Sequence, residues 1–322
     1  MRTKHTVHFH IPSSLGMFFG IAACLMLAYG AYIFLVPHTY PARISVAIIG
    51  NPYMVVSYDV GQKTAVIVTI PSDVSMTAVH DYGKYRLSAL WSLDGLEKRK
   101  GLLFTDTLEE NLGLPVRLYV TGDMREKADI TDVEILTAVK HAFSFQSVLQ
   151  DLFHPSRTNV PFPEHVALLK GIQGLDKKDV TIIRTLDYAT YKEILPDESS
   201  IISFDPKRFS LHLETHAEDS FIRKETPRIV IYNTTNTPGL AQNVARLIEG
   251  AGGHVVSVGN DASIHTDGCI LKGSEQLKES YTAKSISWLY QCHYEVSEDV
   301  AVADFALYLG KAFEKRFLPY EK

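Results

Sequence analysis

Residues 228–259 read RIVIYNTTNTPGLAQNVARLIEGAGGHVVSVG, and this stretch decides the fold of the carboxyl-terminal part of the chain. Arg228–Tyr232 is a β-branched run of strand length that breaks off in polar Asn and Thr residues. Pro238 stands where a helix opens, because its missing N–H is no loss in a first turn. Leu240, Val244, Leu247 and Ile248 then share one helical face, which has to be buried. Gly250, Gly252 and Gly253 end that helix, and His254–Val258 is again a strand.

Downstream, Cys269–Lys272 reads as a strand, Glu275–Tyr290 as a helix and Ala303–Leu309 as a closing strand. The order β-α-β-β-α-β is the split βαβ pattern, in which the third and fourth strands are expected to flank the first. Upstream, the charged segment Asp205 to Thr226 carries few large apolar clusters and places a domain seam near Thr226-Pro227. Before the seam, Ile44–Ile49 is a strand, and Met54–Tyr58 and Thr64–Ile70 make a hairpin around Gly61. A polar loop is expected from Pro71 to Gly83, and helical sequence from about Tyr85. Leu102, Leu103, Leu108 and Leu112 mark a second helix, stopped by Gly113 and Pro115. Val116–Val120 is a short strand, Val133 to Phe153 is mostly helical, His154 to Pro163 is a loop, and Val180–Arg184 is a late strand. This is an α/β layer domain with a mixed sheet.

At the amino end, Leu15 to Val36 contains no charged or strongly polar side chain. Its 22 residues would span roughly 33 Å as a helix, enough to cross a bilayer. A cleaved signal peptide has a shorter apolar region ending at a small-residue site, whereas this one runs into Val36-Pro37-His38. An uncleaved single-pass anchor is therefore expected. Arg2 and Lys4 precede it, which leaves the amino terminus in the cytoplasm and everything after the anchor outside. The expected divisions are a tail and anchor over 1–37, an α/β domain over 38–226 and a second domain over 227–322.

The chain has 322 residues, 46% hydrophobic and 21% charged, which is folded globular material. Its 32 Lys+Arg against 37 Asp+Glu give a formal net charge of -5, without the basic excess that nucleic acid requires. Outside the cytoplasm a disulfide persists, and Cys269 and Cys292 are the candidates; Cys24 lies within the anchor. One argument opposes the bridge: strands on either side of the first would lie roughly 10 Å apart. It weakens if Cys292–Val296 is a separate strand beside Cys269–Leu271, which the alternation of Cys292, Tyr294 and Val296 allows. His5, His8 and His10 have no ligand partners, and no zinc cluster, Walker loop or Gly-x-Ser-x-Gly motif appears, so neither metal nor cofactor is expected. Asn233-Thr234-Thr235 fits a glycosylation acceptor but more simply supplies a turn.

Ile229-Val-Ile-Tyr-Asn-Thr-Thr-Asn-Thr-Pro-Gly-Leu-Ala241 resembles the start of the LytR C-terminal domain, and Gly252–Gly259 and Ala303–Gly310 resemble its later landmarks. The preceding domain is similar to the LytR-CpsA-Psr family in the order of Val55–Asp59, Ile67–Asp73, Tyr85–Ala89 and Thr107–Pro115. That resemblance implies an outward-facing enzyme that moves lipid-pyrophosphate-linked glycopolymers onto the cell wall, using arginines and an aspartate-bound metal. The family's Ile-Pro-Arg-Asp motif, however, reads Ile70-Pro71-Ser72-Asp73, and its aspartate before the second strand aligns with Asn51. A hydroxyl does not replace a bidentate guanidinium fork, and a lone amide is a poor magnesium ligand. Lys84 and Arg86 remain as candidate anion-binding residues, Arg86 at the position of a family basic residue. The sequence therefore points to a non-catalytic envelope protein that binds or scaffolds, with the bilayer, cell-wall glycan or an envelope protein as partners. The rival is an active phosphotransferase.

Overall fold

The computed structural model describes residues 24, 30, 31, 42–122, 130–154, 156–213, 217–261, 268–298 and 303–314. Apart from Cys24, Gly30 and Ala31, the expected membrane anchor lies outside the described residues. Among those described, no helix is long and apolar enough to cross a membrane.

The first sheet follows the expected mixed pattern. β1 (Arg43–Ile49) pairs antiparallel with β2 (Tyr53–Asp59), and β2 antiparallel with β3 (Thr64–Ile70). Both strands of the hairpin are buried almost throughout, which is why they read as continuous apolar runs rather than alternating ones.

The segment expected to be a loop from Pro71 to Gly83 instead holds β4 (Val74–Ala78), paired antiparallel with β5 (Gly83–Arg86). The reversal between them uses left-handed backbone at His80 and Asp81, which lets a polar stretch close a tight hairpin. Helical structure accordingly starts at Leu87, not Tyr85, and runs to Leu96. The second helix, Leu102–Leu112, stops at Gly113, whose φ of +66° is a left-handed cap.

β6 (Leu118–Thr121) and β7 (Val180–Arg184) complete the first sheet in the order β6-β1-β2-β3-β7, both running parallel to their neighbours. Between them lie helices Asp132–Ala142, Phe145–Phe153 and Phe162–Gln173. The last of these was not anticipated, because its prolines mark a helix start rather than a continued loop. β8 (Thr190–Ile194) and β9 (Ser200–Phe204) join β4 and β5 in a second sheet of order β5-β4-β9-β8. Asp205 to Thr226 contains helices Pro206–Leu213 and Ser220–Glu225.

The third sheet comprises β10 (Arg228–Asn233), β11 (His254–Asn260), β12 (Cys269–Gly273), β13 (Cys292–Val296) and β14 (Phe305–Leu309), ordered β11-β10-β14-β12-β13. Two expectations are corrected here. The third strand, β12, lies beside the closing strand β14 and antiparallel to it, so only β14 and β11 flank the first strand. The Cys292–Val296 segment is a strand of its own, parallel to β12, and turns βαββαβ into βαββαββ. Helices Leu240–Gly250 and Tyr281–Tyr290 bury one face of the sheet over Ile229, Ile231, Leu271 and Leu307. The short helix Lys311–Glu314 closes the described chain. His38–Lys322 forms one compact unit by its contacts.

Candidate functional site

Because β2 runs against β1 and β3, while β6 and β7 run with them, the carboxyl ends of β1, β3, β6 and β7 all face one edge of the first sheet. Ligands of open α/β sheets bind outside that kind of edge. The residues there are Asn51 after β1, Ser72 and Asp73 after β3, Gly122 after β6 and Arg184 at the end of β7. Gly122 is tied in by its N–H to the Ile49 carbonyl at 2.8 Å, and the Thr185 hydroxyl donates to the Thr69 carbonyl at 3.0 Å. Asn51 and Ser72, the two positions where the sequence departs from an arginine-and-aspartate site, thus belong to one edge.

Two arginines at this edge were missed by sequence reasoning. Arg184 Nη2 donates to Asp132 Oδ1 at 2.5 Å and to the Ile130 carbonyl at 3.3 Å. Arg157 Nη2 donates to the Thr121 carbonyl at 3.3 Å, and its Nε lies 3.4 Å from Asp151 Oδ1. Both sit beside their own carboxylates. Arg157 also lines a cavity of about 200 Å³ with Ile48, Thr121, His141 and Ser147. Behind it, His165 Nε2 is 3.7 Å from Asp151 Oδ2, yet burial pushes the imidazole pKa down to about 4. The ring is therefore neutral at pH 7. No sequence motif flags Arg157 or Arg184, since only the strand order brings them to the edge.

Of the predicted anion ligands, Lys84 and Arg86 sit on the same strand, β5, but do different things. Lys84 Nζ lies 2.5 Å from Glu193 Oε2 and 3.4 Å from Ser203 Oγ, and the Ser203 hydroxyl donates to the same carboxylate at 2.6 Å. Burial is the largest single influence and would lower the lysine's pKa, but its interactions with Glu193 and Tyr191 together outweigh it and the net shift is upward. The bond from Lys84, with that from Ser203, lowers the Glu193 carboxyl. Arg86 is exposed and lines a groove of about 570 Å³ with Asp73, Lys192 and Ser200. The structure brings Arg86 and Asp73 together and commits Lys84 to an ion pair.

The space between the sheet and helices Leu87–Leu96 and Leu102–Leu112 is filled. Phe104 contacts Tyr53 and Trp91 at ring separations of 5.5 and 5.3 Å, and Trp91 meets Tyr119 edge-on at 5.3 Å. Among the described residues no group of three His, Cys, Asp or Glu is placed to hold a metal ion.

Residues 226–313 match the LytR_C family model, described as LytR cell envelope-related transcriptional attenuator. This segment is a LytR_C domain. The match ties the chain to cell-envelope-related proteins, and its limits agree with the landmarks from Ile229 to Gly310. A search of curated proteins found no match.

Among solved structures the chain is similar to the transcriptional regulator yvhJ from Bacillus subtilis, at 17% identity over 56% of this chain and 99% of that one, with a TM-score of 0.41. It is also similar to B. subtilis TagV, at 16% identity over 55% and 98% of the two chains, with a TM-score of 0.38. A third is B. subtilis TagT, described as a LytR-CPS2A-psr family protein with bound octaprenyl pyrophosphate lipid. It is 14% identical over 54% and 88%, with a TM-score of 0.31.

Within the LytR_C domain the predicted disulfide is present. Cys269 and Cys292 are register partners on β12 and β13, with Cα atoms 4.3 Å apart. The neighbouring-strand arrangement that the alternation of Cys292, Tyr294 and Val296 allowed is the one found.

Proposed function

We propose that the protein is a membrane-anchored, extracytoplasmic envelope protein that binds or scaffolds rather than transfers, and whose LytR_C domain contacts cell-wall glycan or an envelope partner. One observation carries the non-catalytic part. At the strand-end edge, a serine and an asparagine stand where a charged fork and a carboxylate would be needed, and Arg157 and Arg184 already face Asp151 and Asp132. An anion arriving there would compete with carboxylates held 3.4 and 2.5 Å away. The anchor and the outward topology rest on the apolar run Leu15 to Val36 behind Arg2 and Lys4.

The full chain, solubilised in detergent, should co-sediment with purified cell-wall sacculi and should show no metal-dependent turnover of a lipid-pyrophosphate-linked glycopolymer. Turnover would overturn the non-catalytic reading. A reporter fused after Lys322 should be exported, and the chain should stay with membranes after a carbonate wash. The second reading, an active phosphotransferase, is favoured by the convergence of Asp73, Arg86 and Lys192 on one groove. On that reading Arg86→Ala would abolish turnover. On ours it lowers only weak anion binding, and more than Lys207→Ala does.

A further inference from the structure

The third sheet ends in a strand that nothing blunts. Among the described residues β11 is hydrogen-bonded to β10 alone, so its far side is a sheet edge. An edge of this kind presents unpaired N–H and C=O groups to any strand that can lie beside it. The strand reads HVVSVGN, with three β-branched valines and no Lys, Arg, Asp or Glu. His254, Val256, Ser257, Val258 and Asn260 are exposed, Val256 by 40% and Val258 by 38%. Val255 packs against the core of the domain. At Val256 the strand has one residue more than β10, a bulge that raises the local twist without adding a charge.

The other outer strands are each protected. β6 is closed off by residues 157–159: the Thr121 N–H donates to the Arg157 carbonyl at 2.8 Å, and the Asn159 N–H to the Tyr119 carbonyl at 3.3 Å. β7 has no fully exposed residue. β5 carries Lys84 and Arg86, and β8 carries Lys192 and Glu193. β13 carries Glu295, paired with Lys272 at 3.4 Å. Charges on an edge are the usual defence against stray pairing, and β11 lacks them.

The strand is complementary to itself. An antiparallel pair with its two-fold axis at Ser257 sets that serine opposite its own copy. Val256 then lies opposite Val258, Val255 opposite Gly259, and His254 opposite Asn260. A symmetric pairing brings each patch against an identical patch, so a charge near the axis would meet its like. From Val255 to Asn260 there is none. The two exposed valines instead meet valines across the strands, a favourable β-branched pairing. We infer that β11 pairs antiparallel with β11 of a second copy, an isologous dimer that joins two five-stranded sheets into one.

The test measures the mass of the full chain in detergent by size exclusion with light scattering, over a concentration series. Wild type, Ser257→Lys, Ser257→Glu and an equimolar mixture of the two variants are compared. Wild type should be dimeric. Each variant alone sets like charges opposite each other on the axis and should dissociate, its Kd raised by about tenfold or more. The mixture sets opposite charges there and should recover the dimer. Neither misfolding nor association through the Leu15–Val36 segment would give that recovery. Wild type monomeric at every concentration overturns the inference, as does a variant as dimeric as wild type, or a mixture no more dimeric than its components. A monomer bound to a different protein, and released by both substitutions, assigns the edge to a foreign strand and overturns it too.

Discussion

Opening the Cys269–Cys292 bridge should cost the protein about 3 kcal/mol. The two residues are 23 apart in sequence, and a cross-link closing a loop of that size removes unfolded-chain entropy of about that worth at 25 °C. The consequence should be local first. β13 is an edge strand whose only strand partner among the described residues is β12, and the bridge ties the first residues of both together. Both cysteines are buried, at 5% and 8% exposure, so reduction leaves two thiols inside the LytR_C core and little else changes there. Urea unfolding of the protein, followed by tryptophan fluorescence with and without reductant, measures the effect. Trp288 lies on the helix that packs on this sheet, which makes it a suitable reporter. The midpoint should fall on reduction, and the Cys269→Ala/Cys292→Ala variant should match the reduced wild type while ignoring reductant. Equal midpoints with and without reductant would refute the argument, as would free thiols in protein isolated from cells with thiols trapped at lysis.

His165 supplies a pH prediction. Its folded pKa of about 4 lies below the ordinary imidazole value of 6.5, so the unfolded chain binds more protons between them. The contribution to stability is complete above pH 6.5 and is lost as pH falls towards 4, to a limit of about 3 kcal/mol. His165→Gln should flatten this part of the urea-midpoint profile between pH 7 and 4; an unchanged slope would exclude the histidine as its source. Gly171, inside helix Phe162–Gln173, supplies a packing prediction. A Cβ there would overlap the Tyr58 ring, which is itself buried. Gly171→Ala should therefore cost about 2 kcal/mol, by overpacking, instead of gaining the about 1 kcal/mol normal for a helical glycine. A rise in melting temperature would show that the helix moves freely away from β2.

Local chemistry made much of the fold legible. The β2–β3 hairpin, the helix ending at Gly113, β7 and the helix after Pro238 were all readable, because each is specified by apolar periodicity and a turn residue within one short window, although that last helix starts at Leu240 behind a left-handed Gly239 and not at Pro238. The second sheet was not. β8 carries Lys192 and Glu193 in a largely exposed pattern, and its pairing with β9 and then β4 is set by distant chain, not by an apolar run. The prolines of 161–163 read as a loop although they stand at a helix start. At the site, Ser72 and Asn51 were visible as single letters, whereas Arg157 and Arg184 become edge residues only once the order β6-β1-β2-β3-β7 is known. Lys84 and Arg86 were adjacent enough to be grouped, and the structure separates them by giving Glu193 to one.

The seam shows why composition misleads where charges are partners. Residues 205–226 look like a solvated connection, but Asp219 is 3% exposed and stands at the centre of a polar joint. Its Oδ1 accepts the N–H groups of Phe221 and Ile222 at 2.9 and 3.2 Å and so caps helix Ser220–Glu225. Its Oδ2 accepts the Arg43 N–H at 3.2 Å and the Tyr281 hydroxyl at 2.6 Å, and that hydroxyl also accepts the N–H of Ala42. Arg43 Nε reaches the Glu218 carbonyl at 2.9 Å, and its guanidinium lies 3.7 Å from the fully buried Asp59. Burial raises the pKa of Asp219, and burial with the adjacent carboxylate raises that of Tyr281, so the joint is held by complete pairing against a desolvation cost. Glu225 then accepts both the Tyr281 and Thr282 N–H groups at 2.9 Å, fixing the start of helix Tyr281–Tyr290. Removing one member leaves the others buried without a partner, which typically costs about 3–5 kcal/mol, whereas a solvated linker would tolerate the change. The joint grips the first residues of β1, the strand that follows the expected anchor. The LytR_C domain is thereby held in fixed relation to the first sheet, not swung on a tether.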